Sequence, residues 1–303
     1  MSDFLLKLTK AAGAGERIKT GEPMKWHTTF RTGGPAAYFA TPSCTEELSA
    51  IIKLCRQENM PYYILGNGSN LLISDKGYDG VMISMGEGFS QIWNEGSQIR
   101  AGAGALLSRI ARQALALSLT GFEFAAGIPG TLGGAVVMNA GAYGGEMKQV
   151  LVSAQVLTKE GEIRTVPAEE LELGYRTSSI QKEEQIVLSA LLKLELGDKS
   201  RIRARMEELA EKRKEKQPLE YPSAGSTFKR PEGWFAGKLI EDAGLKGFSV
   251  GGAQVSEKHC GFIINRENAT SSDIIELCRQ VRDKVKAKFG VELEMEIKRL
   301  GEF

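Results

Sequence analysis

The chain has 303 residues, of which 42% are hydrophobic and 25% are charged; both values are typical of a globular protein, here long enough for two or three domains. Its 39 basic and 38 acidic residues leave a net charge of +1, which argues against a dedicated nucleic-acid-binding protein. No segment approaches the roughly 20 consecutive apolar residues of a membrane helix, so we expect no membrane insertion.

The first half of the chain alternates predicted helices and strands. Residues 45–59 form a predicted helix with Thr45 as its N-cap, and Pro61 prevents its continuation. Further predicted elements in this half are strands at 62–65, 71–73, 81–84 and 98–103 and a helix at 105–119. Such alternation favours an α+β or α/β domain.

The second half contains a predicted hairpin, a strand, two long helices and a final strand. These elements lie at 150–158 and 162–166 with a turn at 160–161, and at 185–195, 198–216, 272–289 and 291–297. Asp273 and Glu276 suit a capping box for the last helix, and Gly290 suits the position that follows it. In 291–297 apolar residues alternate with acids, which is the pattern of a half-buried strand. The mixed-charge helix at 198–216 makes a plausible domain boundary, and most of its charges are interpreted as a solvated face.

Cysteine and histidine usage gives no indication of a metal site. The chain has four cysteines and two histidines, at Cys44, Cys55, Cys260, Cys278, His27 and His259. None of the cysteines forms a Cys-x-x-Cys pair, which argues against zinc, and we expect no metal. The first residues carry a short apolar run and an early acid, unlike a signal peptide, so we expect a reduced, cytoplasmic protein.

Two glycine-rich stretches are the most informative feature of the sequence. One is Gly66-Asn67-Gly68-Ser69-Asn70, and the other, over residues 121–145, has glycine at 121, 127, 130, 133, 134, 141, 144 and 145. Glycine is costly to order, so such stretches indicate that backbone must come close to something. Backbone N–H groups in turns of this kind bind anions well. Each stretch alone is equally consistent with tight turns and close strand packing. Together they predict a cradle for a large phosphate-bearing cofactor, with further hydrogen-bonding groups on the side chains of Asn67, Ser69, Asn70, Thr131 and Asn139.

Other nucleotide-binding and hydrolase motifs are not matched. Gly102-Ala103-Gly104 lies between a predicted strand and a predicted helix, but Leu107 stands where a dinucleotide fingerprint has its third glycine. The segment 233–238 is too short for a P-loop, and Leu239 replaces the required Ser or Thr. No Gly-x-Ser-x-Gly is present, which argues against a nucleophile elbow.

Three further polar residues have ordinary structural interpretations when each is taken alone. Arg176 follows Tyr175 in a loop before a strand, Ser226 sits in a turn of small residues, and Glu296 lies on the polar face of the last predicted strand. Neither composition nor spacing joins these three residues into one site.

A family resemblance does join them. The segments that carry it are Thr29 to Pro35, Leu65 to Leu71, Ala126 to Ala135, Asn139 to Gly144, Gly174 to Ser178, Ala224 to Lys229 and Leu293 to Ile297. In this order they resemble the UDP-N-acetylenolpyruvoylglucosamine reductase (UDP-N-acetylmuramate dehydrogenase) family, from about residue 27 to the C-terminus. The short connection between Ser178 and the strand at 185–195 is similar to the shorter, type II-like branch, which lacks the loop that carries a tyrosine over the substrate in the longer branch.

The resemblance implies a fold and a domain order. We expect an α+β protein with a two-subdomain FAD-binding module (PCMH/vanillyl-alcohol-oxidase-like) and a C-terminal α+β substrate-binding domain. The expected domains are residues 1–85 and 86–203 for the two FAD-binding subdomains and 204–303 for the substrate-binding domain. Each glycine stretch then falls in a different FAD subdomain, so that one elongated diphosphate ligand is bound from both sides.

The resemblance also implies the cofactors, the reaction and the residues that serve it. NADPH reduces FAD, and hydride then passes to the enolpyruvyl group of the UDP-sugar, with catalytic roles for Arg176, Ser226 and Glu296. Arg176 and a protonated Glu296 would stabilise the enediolate, and Ser226 would deliver the proton to the other carbon. The expected cofactor-binding residues are Arg31, Gly66, Asn67, Gly68, Ser69, Asn70, Gly127, Gly130, Thr131, Gly133, Gly134, Asn139 and Gly141. The expected substrate-binding residues are Tyr175, Lys216, Lys229 and Arg230, where the position of Arg230 often holds Asn in the family.

We therefore expect a monomeric, cytoplasmic NADPH-dependent flavoenzyme of peptidoglycan precursor synthesis, with a UDP-sugar and NADPH as partners and no nucleic acid. Another FAD-dependent oxidoreductase with a different acceptor is the alternative within enzymes. A nucleotide-binding sensor without activity is the alternative from another class, and the complete set of Arg176, Ser226 and Glu296 argues against it.

Overall fold

The computed structural model describes residues 2–303, and the secondary structure within this range is mixed. The α-helices are α1 Asp3–Ala11, α2 Thr45–Gln57, α3 Leu107–Ala116, α4 Leu132–Val137, α5 Ser179–Lys182, α6 Lys199–Lys216, α7 Ala236–Asp242 and α8 Ser271–Phe289. Short 3-10 turns lie between several of these elements. None of the described helices combines the length and the apolar character needed to cross a bilayer.

The strands are short, and most of them are antiparallel to their neighbours. They are β1 Ile18–Pro23, β2 Pro35–Ala40, β3 Tyr62–Leu65, β4 Leu71–Ile73, β5 Tyr78–Ser84, β6 Ile92–Glu95, β7 Gln98–Gly102, β8 Leu119–Thr120, β9 Gly141–Ala142, β10 Gly145–Glu146, β11 Leu151–Leu157, β12 Ile163–Pro167, β13 Ile186–Lys193, β14 Glu195–Leu196, β15 Ser249–Val250, β16 Ala253–Val255, β17 Ile263–Asn265 and β18 Lys298–Leu300. One sheet has the order β1-β2-β5-β3, in which β3 and β5 are parallel.

The chain divides into two compact units, each built from three separate segments. Unit 1 comprises residues 1–19, 39–67 and 81–213, and unit 2 comprises 20–38, 68–80 and 214–303. The three-part division at residues 85/86 and 203/204 stays a prediction.

A five-stranded antiparallel sheet in the order β12-β11-β13-β7-β6 organises unit 1. The central strand β13 is buried over most of its length, and α4 packs against it. The spacing of Leu107, Ile110, Ala111, Ala114 and Leu115 in the sequence predicts a buried stripe on α3; the first four are buried and Leu115 is half-buried. These contacts fix the glycine-rich segment before α4 close to the end of β7.

Unit 2 has its own hydrophobic core. Helix α8 contributes Ile274, Leu277, Val281 and Val285, all fully buried, and packs on the sheet β15-β16-β17. The parallel pair β18 and β4 brings the C-terminal strand beside residues 71–73. This pairing joins the C-terminal strand to a segment of the first third of the chain, which positions the residues that follow Leu293.

Three local predictions were wrong. Cys44, not Thr45, is the N-cap of α2, and the Glu47 carboxylate instead accepts hydrogen bonds from the backbone and hydroxyl of Ser43. The capping box of α8 uses Thr270 with Asp273, one turn earlier than predicted. Residues 291–297 form only an isolated bridge before β18, although the predicted alternation of buried and exposed side chains is present.

Candidate functional site

In unit 1, residues 66 and 67 of the first predicted glycine turn lie close to the second turn. The side-chain amide of Asn67 donates to the carbonyl of Pro129 at 2.8 Å. A Cβ added to Gly66 would lie 2.5 Å from the Oγ1 atom of Thr131, so only glycine allows this approach. The structure therefore brings together residues 66–67 and 129–131, which lie more than 60 positions apart in the sequence.

The second turn offers backbone donors that the protein itself does not use. Within residues 2–303, the amides of Gly127, Gly130 and Thr131 donate to no protein acceptor. Gly127 is exposed, whereas Gly130 is half-buried and Thr131 is buried. Buried amides without a protein acceptor are rare, and two successive free amides, here those of Gly130 and Thr131, can form an anion-binding concavity. This observation fits the phosphates of a dinucleotide such as FAD.

Gly133 and Gly134 differ in their surroundings. A Cβ on Gly133 would lie 2.9 Å from the Cβ of Ala103, so this glycine allows α4 to pack closely on the segment after β7. Gly134 is exposed, and its nearest contact would be an ordinary 3.9 Å to Thr131. Gly134 thus leaves an open surface beside the turn, whereas Gly133 serves packing.

The weak glycine motif at Gly102 and Gly104 serves packing as well. A Cβ on Gly102 would lie 2.1 Å from the Phe89 carbonyl oxygen, and one on Gly104 would lie 1.9 Å from that of Met85. Both amides donate within the protein, to Gln91 and Phe89. These residues therefore have no free amide for a phosphate, in agreement with the rejection of a dinucleotide fingerprint.

Asn139 is a buried polar residue whose side chain is fully engaged within unit 1. Its Nδ2 donates to the Glu146 carboxylate at 2.9 Å and to the Gly174 carbonyl at 3.1 Å, and its Oδ1 accepts from the Lys148 amide at 2.9 Å. The neighbouring Gly141 lies in the hairpin of β9 and β10, where a Cβ would be 2.6 Å from the carbonyl oxygen of Gly145. Both residues organise the segment that the sequence predicted to bind a cofactor.

Arg176 lies at the tip of a tight turn. Gly174 and Thr177 pair across this turn, and Arg176 itself has a left-handed backbone with φ of 57°. Its guanidinium carbon lies 5.2 Å from the ring centre of Tyr175, which is 57% exposed. The Ser178 hydroxyl donates to the Val137 carbonyl at 2.8 Å and holds the far side of the turn. The backbone thus presents a strained, cationic turn, and local strain of this kind is concentrated at functional sites.

Unit 2 contains a second close approach of backbone, at the predicted cofactor residue Gly68. Gly68 is buried with φ of 60°, and a Cβ there would lie 2.0 Å from the His27 carbonyl oxygen. Arg31 is exposed and also left-handed, with φ of 56°. Ser69 is half-buried and precedes Asn70. The side-chain Nδ2 of Asn70 donates to the backbone carbonyl of Glu296 at 3.3 Å.

Ser226 and Glu296 lie on adjoining segments of unit 2. The amide of Glu296 donates to the carbonyl of Thr227 at 2.8 Å, and Phe228 pairs antiparallel with Met295. Ser226 is exposed and Glu296 is half-buried. The structure thus brings together two of the three predicted catalytic residues, although 69 residues separate them between positions 226 and 296. Arg176 belongs to unit 1.

Thr227 fixes the position of Ser226. It is fully buried, and its hydroxyl accepts a hydrogen bond from the amide of Ile263 at 3.0 Å. Its own amide donates to the carbonyl of Gly261 at 2.9 Å. The Gly261 amide in turn donates to Nδ1 of His259 at 3.0 Å. His259 therefore helps to fix Gly261, the residue that accepts the hydrogen bond from Thr227. Sequence reasoning missed both supports, because neither residue has a local pattern that indicates its partner.

The predicted substrate-binding cations have different surroundings. Lys229 forms an ion pair with Glu294, and its amide donates to the carbonyl of that residue at 2.8 Å. The guanidinium of Arg230 lies 3.9 Å from the ring centre of Phe235, which is a cation–π geometry. Lys216 is exposed at the end of α6. Another cation near the glycine turn was missed: Arg213, which the sequence placed on a solvated helix face, is half-buried.

The fold and the glycine turns define the class of protein. A family model for an FAD binding domain matches residues 36–167, which contain both turns. The fold also resembles that of Phl p 4.0202, a glucose dehydrogenase, with a TM-score of 0.50 and 13% identity over 65% of this chain and 45% of that one. At that identity the likeness shows the fold alone. The chain is an α+β FAD-binding protein, as predicted.

The particular family follows from matches over the whole chain. A model of the C-terminal domain of UDP-N-acetylenolpyruvoylglucosamine reductase matches residues 217–300. Reductases of that name from Lachnoclostridium phytofermentans and Caldanaerobacter subterraneus subsp. tengcongensis are each 53% identical over 100% of this chain and cover 99% and 100% of their own lengths. The crystal structure of the Thermus caldophilus reductase superposes with a TM-score of 0.80 at 38% identity, over 94% of this chain and 98% of that one. The chain belongs to the UDP-N-acetylenolpyruvoylglucosamine reductase family, in its shorter branch.

Proposed function

We propose that this protein catalyses the NADPH-dependent reduction of UDP-N-acetylglucosamine enolpyruvate to UDP-N-acetylmuramate, a step of peptidoglycan precursor synthesis. The observation that carries the proposal is identity of about half of all residues with reductases of this name over their whole length. An FAD-binding region and a reductase C-terminal domain in one chain support the same reaction. When bound, FAD would supply the redox chemistry, because it would take a hydride from NADPH and pass it to the enolpyruvyl group.

The residues for FAD binding are those of the two glycine turns. The free amides of Gly127, Gly130 and Thr131 would donate to phosphate oxygens, and Gly66 with Asn67 holds the first turn beside the second one. The proposed set also includes residues that contact the cofactor or fix the turns. In unit 2 these are Arg31, Gly68, Ser69 and Asn70, and in unit 1 they are Gly133, Gly134, Asn139 and Gly141.

Ser226 is the proposed proton donor to the substrate. A serine hydroxyl is a very weak acid, so it transfers a proton only when it is held in place. This role is supported by the hydrogen bonds that hold the next residue, Thr227, in place. The amide, the hydroxyl and the carbonyl of Thr227 each form a hydrogen bond, the last one with the amide of Glu296. The exposed hydroxyl of Ser226 remains accessible to a ligand.

Arg176 and Glu296 are the proposed stabilisers of charge on the substrate. Reduction of the vinyl carbon moves negative charge toward the substrate carboxylate, and a cation or a proton donor aimed at it lowers the barrier. The tight turn fixes the backbone of Arg176, and Asn70 with Thr227 fixes the backbone of Glu296.

Tyr175, Lys216, Lys229 and Arg230 are the proposed contacts of the UDP-sugar and of the NADPH phosphates. The exposed pair of Lys229 with Glu294 contributes little to stability, so the lysine is available to a phosphate. Arg230 is stacked on Phe235, which restrains its guanidinium and lowers the entropy lost on binding. The protein is proposed to be a monomer in the cytoplasm.

An anaerobic spectroscopic titration tests the proposal. The purified protein should carry flavin absorbance that bleaches with NADPH and returns when UDP-N-acetylglucosamine enolpyruvate is added. Bleaching without recovery would assign a different acceptor. A colourless protein that cannot be reconstituted with FAD would refute the flavoenzyme assignment for this chain.

The Ser226→Ala variant tests the role of the serine. We expect NADPH to reduce the variant at the rate of the parent, because the serine does not take part in that half-reaction. Reoxidation by the enolpyruvyl sugar should slow by about 100-fold or more, the usual contribution of general acid catalysis. Equal reoxidation rates in variant and parent would rule out Ser226 as the proton donor.

A further inference from the structure

Arg213 differs from the other charged residues of α6. The other charged residues of this helix are all exposed, and three of them form ion pairs, Glu208 with Arg205 at 2.6 Å and with Lys212 at 2.5 Å. Arg213 is half-buried, and in the part of the chain that the structure describes its guanidinium has neither a hydrogen bond nor an ion pair.

The guanidinium lies against the turn that begins at Gly127. A Cβ added to this glycine would be 3.1 Å from Cδ of Arg213, 3.3 Å from Nη1 and 3.7 Å from Nε. An alanine at position 127 would therefore require the arginine side chain to shift slightly. Both residues belong to unit 1, and the glycine provides the space for the arginine.

A cation in this environment is costly to the protein alone. Burial lowers the pKa of Arg213, and Tyr143 nearby acts in the opposite direction, yet an arginine remains charged at any physiological pH. A partly desolvated charge without a carboxylate or carbonyl partner destabilises the fold. Its position beside Gly127 offers a reason for this cost, because the same turn carries the free amides of Gly127, Gly130 and Thr131, and an anion bound there would be contacted by both the guanidinium and the backbone.

We infer that Arg213 is the cationic member of a diphosphate-binding site that it forms with the free amides of the 127–131 turn. The planar fork of an arginine donates two parallel hydrogen bonds, which suits adjacent phosphate oxygens. The inference rests on the proposed function, which supplies two sources of this chemistry. One is the diphosphate of FAD, and the other is the diphosphate of a soluble nucleotide, either the UDP-sugar or NADPH.

The test compares Arg213→Met and Arg213→Lys with a matched control, Arg205→Met, on the same helix. The control removes an exposed arginine whose ion-pair partner is Glu208. Apoprotein of each variant is titrated with FAD and with riboflavin, which lacks phosphate, and flavin fluorescence gives the dissociation constants. FAD-loaded protein is titrated with UDP and with NADP⁺ by calorimetry.

If the FAD diphosphate is the ligand, Arg213→Met weakens FAD binding by about 10- to 100-fold, the usual range for a charge-assisted hydrogen bond, and leaves riboflavin binding unchanged. Arg213→Lys should fall between the parent and the methionine variant, because it keeps the charge and loses the fork. A loss confined to UDP or NADP⁺ would assign the soluble nucleotide. Should FAD, UDP and NADP⁺ all bind within twofold of Arg205→Met, the inference is wrong.

Two features keep the test decisive. If Arg213→Met does not fold, Arg213→Lys carries the comparison, because it keeps the charge and most of the packing. If the parent is not reoxidised by the enolpyruvyl sugar, the proposed function fails while the FAD titration still reports on Arg213.

Discussion

Replacement of Asn139 by alanine should destabilise the protein and disorder the turn that carries Arg176. Asn139 is 1% exposed, and its side chain makes three hydrogen bonds, to Glu146, Gly174 and Lys148. Alanine leaves the Gly174 carbonyl and the Lys148 amide without these partners. At about 1–2 kcal/mol for each partly buried group, the expected loss is about 2–4 kcal/mol in the free energy of unfolding.

The left-handed backbone at position 139 allows a control. Asn139 has φ of 41°, which alanine tolerates poorly and glycine tolerates well. Asn139→Gly removes the same hydrogen bonds without this strain, so it should be about 1 kcal/mol more stable than Asn139→Ala. Urea unfolding of the FAD-loaded protein, followed by circular dichroism, measures both differences.

The functional consequence separates positioning from plain destabilisation. Because the Asn139 amide holds the Gly174 carbonyl at the base of the Arg176 turn, both variants should slow reoxidation of the flavin by the enolpyruvyl sugar. Reduction by NADPH should stay within twofold of the parent at a temperature where each variant is folded. Parental reoxidation rates in a clearly destabilised variant would refute the positioning argument, and parental stability would refute the hydrogen-bond argument.

Two further predictions concern unit 2. Gly68→Ala should destabilise the protein by about 2 kcal/mol or more, because the left-handed backbone disfavours alanine and the added Cβ would lie 2.0 Å from the His27 carbonyl oxygen. The control Gly161→Ala, at φ of 92° in open space, should lose only about 1 kcal/mol. Equal losses for the two variants in urea unfolding would contradict the steric argument. Burial lowers the pKa of His259, and a backbone hydrogen bond and Glu241 partly offset this effect. The folded state therefore favours the neutral ring. This contribution to stability is present above the ordinary histidine pKa of about 6.5 and is lost as the pH falls below it. His259→Gln should flatten this decline in a pH series of unfolding midpoints, and an unchanged slope would exclude the histidine as its source.

Local patterns predicted most of the long elements. Helices α2, α6 and α8 and the hairpin of β11 and β12 lie within a few residues of their expected positions, because periodicity and turn chemistry are properties of neighbouring residues. The caps of α2 and α8 were predicted one position or one turn away, since several Ser, Thr and acidic residues near a helix start compete for the same role.

The sequence by itself determined the class of cofactor site and, through its resemblance, the family, since the glycine turns and their flanking motifs are contiguous segments. Only the tertiary structure decided which distant groups meet: Thr227 with Glu296, Asn139 with Gly174, and Arg213 with Gly127. The physical reason is that these contacts depend on how the two cores bring segments together. No side chain within one segment specifies a hydrogen bond or a packing contact with a segment tens of residues away.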